Sequence, residues 1–419
     1  MTLGRVMLVR VKRIERIRLY PTSHQTKALV RMLDVTRELY NALLQQRRDA
    51  YRLRRIGVTA RMQYAELTEL RAEDTRVRAV YRECQDAVLH RLDLAMTAFF
   101  RRIKRGEAPG FPRFKSYTRW GQLEFPHGDR ALRLDQAQRR VSVSGVGAVK
   151  LRKGRAVPAT YGRAWLVCKS GSWYACFECA RPVLPLPATG TVVGVDRGVH
   201  VLAALSDGRL IANAAVGEQR KAATARLQRE LEAVTERDCA GRMLNRRDSQ
   251  RQKLQGRLTR AKEREANARR DYAHKVSRQI VNGADVIALE KLSLRAMTRS
   301  ARGSVERPGR NVRAKAALNR RLLDSGFGLL RQMIVAKAEE AARTVVEVDA
   351  RFSSQTCSRC AHVARESRRR RRFSCVACGY ANHADVNAAL VIRWRAQLAL
   401  KSEPDPAEEV GRRDQDVAA

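Results

Sequence analysis

The chain has 419 residues, with 84 Lys and Arg against 43 Asp and Glu, for a formal net charge of +41. Such an excess repels itself unless a polyanion is near, which points to a nucleic-acid surface; an arginine-rich but merely solvated surface is the alternative. No run approaches the roughly 18 apolar residues of a membrane span, so no membrane partner and a cytoplasmic, nucleoid-associated setting are expected. Nine cysteines in a reducing compartment point to metal or core packing in place of disulfides.

Residues 6–20 alternate apolar and basic as a half-buried strand does, and stop at Pro21. Thr22 with Gln25 reads as a capping box opening a long helix striped by Leu29, Leu33, Leu39 and Leu43. Helices are expected at 61–72 and 75–105, ending at the breaker GEAPGFPRF. Over 111–186 the runs QLEFPHG, ALRLD, RRVSVSGVGAVKLRK, AWLVCKSG and SWYACFECARPVL predict a small antiparallel barrel or sheet. Cys176 and Cys179 lie within the last strand, so CFEC is read as packing, not as a metal clip.

After the linker LPLPATG, TVVGVDRGVHVLAALSDGRL predicts a strand, a turn at Asp207 and Gly208, and a second strand. One or two long basic helices fill 216–281, then comes the buried strand ADVIALE. A flexible basic segment, TRSARGSVERPGRNVRAKA, precedes the helix LNRRLLDSGFGLLRQMIVAKAEEAA and the strand TVVEVDA. A cysteine module and the helix DVNAALVIRWRAQLAL follow, and the acidic tail 401–419 reads as disordered. Strands alternating with helices from 191 onward predict an α/β domain with a mixed sheet.

Three acids end or begin these apolar elements: Asp196 in mid-strand, Glu290 at a strand end and Asp385 at a helix start. Taken singly, Asp385 is explained as well by helix N-capping and Glu290 as a solvated acid. Taken together, three converging carboxylates make a site for two magnesium ions, the arrangement that phosphodiester hydrolysis requires. Between them, Cys357-x2-Cys360-x14-Cys375-x2-Cys378 has the spacing of a four-thiolate structural zinc site. Within that module Arg365 and Arg368 to Arg372 fall on an expected hairpin tip, where they could hold a phosphate backbone or be a solvated charged turn.

Six segments, GFPRFKS at 110–116, VGVDRGV at 193–199, RRDYAHKVS from Arg269, IALEKL from Ile287, FSSQTCSRC from Phe352 and CGYANHADVNAA from Cys378, resemble successive signatures of the TnpB family. That family comprises RNA-guided endonucleases of insertion sequences, related to type V CRISPR effectors. The likeness runs from about Arg18 to Ile392. It departs where VGVDRG stands for the commoner GIDLG and AHV for CGH, with no acid or thiol lost.

The resemblance implies an α/β multidomain protein. A wedge barrel (1–22 and 111–187) would enclose a helical recognition domain (23–110). An RNase H-like, RuvC-type nuclease domain (188–350 and 381–400) would carry an inserted zinc ribbon (351–380) that binds target nucleic acid. It implies catalytic Asp196, Glu290 and Asp385 with magnesium, Cys357, Cys360, Cys375 and Cys378 with zinc, and a guide RNA from a transposon end or a CRISPR array. Double-stranded and single-stranded target DNA would be the other partners, read by pairing with the guide beside a short adjacent motif. Arg113, Lys115, Arg368, Arg369 and Arg370 are the candidate nucleic-acid contacts. A miniature CRISPR effector, a guide-directed DNA binder without cleavage and a recombinase are the alternatives.

Overall fold

A computed structural model describes residues 10–154, 157–213, 218–239, 241, 243–245, 248–303 and 307–402. These fall into two compact units, 10–181 and 182–402. The beginning of the first expected strand and the acidic tail from 403 lie outside the described residues.

In the first unit, β1 (Arg10–Tyr20) leads into α1 (Ser23–Arg54), α2 (Ala60–Glu73), α3 (Thr75–Arg78) and α4 (Arg82–Lys104). The capping box is present: Thr22 Oγ1 accepts the Gln25 N–H at 3.2 Å, and Gln25 Oε1 accepts the Thr22 N–H at 3.0 Å. The single helix expected over 75–105 is interrupted at 79–81, although no Pro or Gly marks the spot. Arg71 explains it. Its Nη1 donates to the carbonyls of Val77 and Val80 at 3.3 and 2.8 Å, and Gln85 Nε2 donates to Val77 at 2.7 Å, so side chains satisfy carbonyls a continuous helix would have bonded.

The strand-rich part supplies β2 (Gln122–Phe125), the short helix α5 (Gly128–Ala131), β3 (Leu132–Asp135), β4 (Arg140–Val143), β5 (Gly147–Leu151), β6 (Ala164–Lys169) and β7 (Ser172–Pro182). Every expected run forms a strand, and with β1 they make one sheet in the order β2-β6-β7-β1-β5-β4-β3. Leu29, Tyr40 and Leu44 of α1, Leu89 of α4 and Phe125 and Phe177 of the sheet share one apolar core. Cys176 and Cys179 are buried free thiols.

The second unit contains β8 (Val192–Arg197), β9 (Val201–Leu205), β10 (Leu210–Ala212), α6 (Glu218–Ala233), α7 (Ser249–Asn282), β11 (Val286–Glu290), α8 (Leu294–Met297), α9 (Val312–Ser325), α10 (Phe327–Glu340) and β12 (Thr344–Val348). The small strands β13 (Arg368–Arg369), β14 (Arg372–Ser374) and β15 (Ala381–His383) precede α11 (Ala384–Ser402). The main sheet runs β10-β9-β8-β11-β12, with β8, β11 and β12 parallel and the β8–β9–β10 hairpins antiparallel. It is the mixed sheet that the alternation of elements predicts.

Three expectations need correction. An additional turn at 198–200 ends β8 at Arg197, so Asp196 stands at a strand end and not in mid-strand. The close return at Gly198, where a Cβ would meet the Val201 carbonyl oxygen at 2.8 Å, makes that turn possible. The helix expected from 318 already begins at Val312, inside the stretch read as flexible. Lys315 Nζ and Asn319 Nδ2 anchor it by donating to the carbonyls of Met297 and Thr298 at 2.5 and 2.9 Å. It also breaks at Gly326, whose φ of 71° places it in the left-handed region that favours glycine.

The period of two along strands sorts the two sides of this sheet. Val193, Val195, Ile287 and Leu289 pack with Ile280 of α7 and Ile334 of α10, whereas Ala288 and Val348 pack with Ile392 and Ala396 of α11. By the same alternation Asp196 and Glu290 belong to the side covered by α11.

Candidate functional site

Register brings the first two acids together. In the parallel pair β8/β11 the last registered partners are Leu289 and Val195, and Glu290 and Asp196 are the next residue on each strand. Helix α11 brings the third. It lies so close on β8 that a Cβ on Gly194 would fall 2.0 Å from the Ala389 carbonyl oxygen. From that contact Asp196 is two residues along the strand, about 6.6 Å, and Asp385 four residues back along the helix, about 6 Å. All three acids line one open cleft of about 900 Å³ with Arg321, Ser353 and Arg368.

The acids differ in how they are held. Ser353 Oγ donates to Glu290 Oε1 at 2.5 Å, and Arg197 Nη2 donates to the Glu290 carbonyl at 2.6 Å. Arg368 Nη2 pairs with Asp385 Oδ1 at 3.0 Å. The Asp196 carboxylate has no hydrogen bond or ion pair among the described residues. Burial, aided by repulsion from Glu290 and Asp385, pushes it up to about 7. Burial also raises Glu290, against the opposing effect of its hydrogen bond from Ser353. An unpartnered, partly buried carboxylate among two others is costly as an anion and would be relieved by a hard cation, so the donor set suits a divalent metal held by oxygen.

The four cysteines of the small module converge, with all four sulfurs within 4.8 Å of one another. Cys357 and Cys378 Sγ are 3.7 Å apart, and Cys360 and Cys375 Sγ 3.6 Å. A tetrahedron with zinc–sulfur bonds of about 2.3 Å has edges of about 3.8 Å, whereas a disulfide needs about 2.05 Å, so the thiols fit zinc and not a bridge. Among the described residues they are the one cluster gathered tightly enough to hold an ion as they stand. Each pair turns alike: the Ala361 N–H donates to the Cys357 carbonyl and the Gly379 N–H to the Cys375 carbonyl, both at 3.0 Å, and both residues have positive φ.

The module is tied to the acids. Asn387, fully buried, donates through Nδ2 to the Thr356 carbonyl at 2.8 Å and accepts the Ser358 N–H at 3.0 Å. The Ala384 N–H donates to the Arg371 carbonyl at 2.7 Å. Arg369 and Arg370 sit at the β13–β14 turn as expected, and Arg370 lines the cleft. Arg113 and Lys115 lie in the other unit, in the irregular chain after α4. Gly194, Ser353 and Asn387 were not singled out from the sequence as site residues, although all three stand beside them in the quoted segments.

Known proteins resemble this chain along most of its length. Residues 175–301 match the family model described as "Probable transposase", and 327–392 that described as "Cas12f1-like, TNB domain". A third, described as "Helix-turn-helix domain", matches 7–55, where the structure has the strand β1 and the single helix α1. InsQ of Escherichia coli strain K12, named as an RNA-guided DNA endonuclease, is 33% identical over 300 residues, covering 71% of this chain and 70% of that protein. A Streptomyces pristinaespiralis protein of the same designation is 27% identical over 402 residues, covering 91% and 89%. In fold, the chain is similar to Cas12f1 from a complex with single-guide RNA and target DNA, with a TM-score of 0.51 at 12% identity over 92% of this chain and 99% of that one. The chain belongs to the TnpB family.

Proposed function

We propose that the protein is an RNA-guided, magnesium-dependent DNA endonuclease. In this reading 188–350 and 381–400 form a RuvC-type nuclease domain, 351–380 its zinc-bearing insertion, 1–22 and 111–187 a wedge domain, and 23–110 a recognition domain. The observation that carries it is the shared cleft of Asp196, Glu290 and Asp385 beside Arg368. The match of residues 175–301 to the family model described as "Probable transposase" supports the transposon-encoded form over a CRISPR effector.

Asp196, Glu290 and Asp385 would hold two magnesium ions. When bound, these supply the positive charge that activates water and offsets charge at phosphorus. Ser353 fixes the orientation of Glu290, and the close seat of α11 on Gly194 fixes the depth of Asp385. Arg368, once released from Asp385, is free to pair with a phosphate oxygen of the DNA strand. Zinc, closed in by four thiolates, would be structural and leave no open position for water.

The test is cleavage by the purified chain with the RNA that copurifies with it, on a library of target duplexes with randomised flanks. Magnesium-dependent cutting beside one short motif, lost in Asp196→Ala, is expected. Undiminished cutting by that variant rejects the assignment of the acids, and binding without nicking in magnesium or manganese favours a guide-directed binder.

A further inference from the structure

In the first unit, two cations, Lys115 and Arg91, sit over an aromatic platform, and Arg119 lies near enough to Lys115 to repel it. The rings of Tyr40 and Trp120 pack with centroids 5.3 Å apart, and Trp120 is anchored by its Nε1 donating to Thr36 Oγ1 at 2.9 Å. Lys115 Nζ lies 5.6 Å above the Tyr40 ring, and the Arg91 guanidinium 4.7 Å above Trp120. Asn41 clamps the Lys115 backbone from both sides: Nδ2 donates to the Lys115 carbonyl at 3.0 Å, and Oδ1 accepts the Lys115 N–H at 2.8 Å. Burial, with Arg91 and Arg119 adding repulsion, holds the Lys115 ammonium below the ordinary lysine range.

Among the described residues none of Arg91, Lys115 and Arg119 pairs with a carboxylate. Nearby arginines do: Arg37 with Asp34, Arg47 with Asp93, Arg82 with Asp86. A single cation over an aromatic ring is common and stabilises only weakly at an exposed position. Two on touching rings, with a third beside them and one backbone clamped in place, form an arrangement whose repulsion an anion would remove. Between Lys115 and Arg119, on a tight turn at Tyr117–Arg119, the Tyr117 ring is 63% exposed with no ring or hydrogen-bond partner among the described residues. Phe114 beside it is 43% exposed with Arg48 over its face at 5.1 Å. Exposed rings next to phosphate-binding cations bind unpaired bases, since bases in a duplex are already stacked.

We propose that Arg91, Lys115 and Arg119 grip the phosphate of an unpaired nucleotide and that Tyr117 stacks on its base. The site would thus hold a single-stranded stretch of RNA or DNA. It deepens the nuclease reading above, on which it rests for the presence of nucleic acid, and it is independent of the acid cleft.

Photo-crosslinking of the full chain with 12-residue oligonucleotides carrying 4-thiouridine (RNA) or 4-thiothymidine (DNA), followed by peptide mass spectrometry, tests it. A crosslink within 111–120 is expected, and which oligonucleotide gives it identifies the strand. Tyr117→Ala should cut the crosslink yield and weaken binding about tenfold while Tyr117→Phe restores both. The pair Lys115→Ala/Arg119→Ala should lower the slope of log affinity against log salt by about 0.7 for each single-strand phosphate that the variant no longer neutralises. Thermal melts check that the substitutions leave the fold intact. Strong oligonucleotide binding with crosslinks only elsewhere, or a slope unchanged in the double variant, overturns the site and leaves the nuclease reading standing; no binding of either oligonucleotide counts against both.

Discussion

Gly194 and Ala389 touch so closely that no side chain fits between them: a Cβ at 194 would lie 2.0 Å from the carbonyl oxygen of Ala389 and 2.7 Å from the amide nitrogen of Arg393. The distance between α11 and β8, and with it the height of Asp385 above Asp196, is set at this contact.

Gly194→Ala should therefore push α11 outward. Overpacking of this kind costs about 1–3 kcal/mol, so a melting temperature several degrees lower is expected. Cleavage measured well below that temperature should fall further than the loss of folded protein explains. Unchanged melting and full activity would show that the helix can move without consequence.

Asn387 joins the four-cysteine module to the helix carrying Asp385. Asn387→Ala leaves the buried Thr356 carbonyl and Ser358 amide without partners, at a cost of about 1–3 kcal/mol. One zinc per chain by elemental analysis should persist, while the magnesium concentration for half-maximal cleavage rises severalfold. Loss of zinc together with loss of activity would instead make Asn387 a folding residue of the module.

Ala361 has φ 60°, the left-handed conformation that its counterpart Gly379 adopts at 70° with no Cβ penalty. A left-handed non-glycine residue costs roughly 1–2 kcal/mol, part of which glycine returns through the greater freedom of the unfolded chain. Ala361→Gly should thus slow zinc release to a chelator and raise the melting temperature slightly. Faster release would contradict the backbone assignment there.

Lys337 of α10 is 9% exposed and donates to the His274 carbonyl and to Ser277 Oγ, both on α7. Burial, then Arg278, pulls its ammonium down to about 8, against an ordinary value of 10.5. Between those values the unfolded chain holds the extra proton, so this group makes stability rise with pH from about 8 to 10.5, and its full cost is present below 8. Lys337→Met should stabilise the protein at pH 7 by roughly 1–2 kcal/mol, a gain that shrinks by pH 10. Melts at the two pH values check it; an equal shift at both would contradict it.

Local signals made much of this molecule legible. Runs of period two gave nearly every strand, the paired CxxC spacing gave the four-cysteine cluster, and Thr22 with Gln25 opened α1 as read. The acids stood out because each interrupts an apolar element in a basic chain. What stayed hidden depends on partners far along the sequence. The break before α4 is made by Arg71, Glu290 is oriented by Ser353 from 63 residues away, and Asn387 reaches back 31 residues to Thr356. The tightness of Gly194 is invisible until α11 is laid on β8.

The central claim is that Asp196, Glu290 and Asp385 form one metal site. Its most direct measurement is manganese bound per chain, read by electron paramagnetic resonance on the RNA- and target-bound protein with zinc retained. Two bound ions are predicted for the wild type, with Asp196→Ala, Glu290→Ala and Asp385→Ala each losing at least one. Full manganese occupancy in any of the three would contradict a shared site.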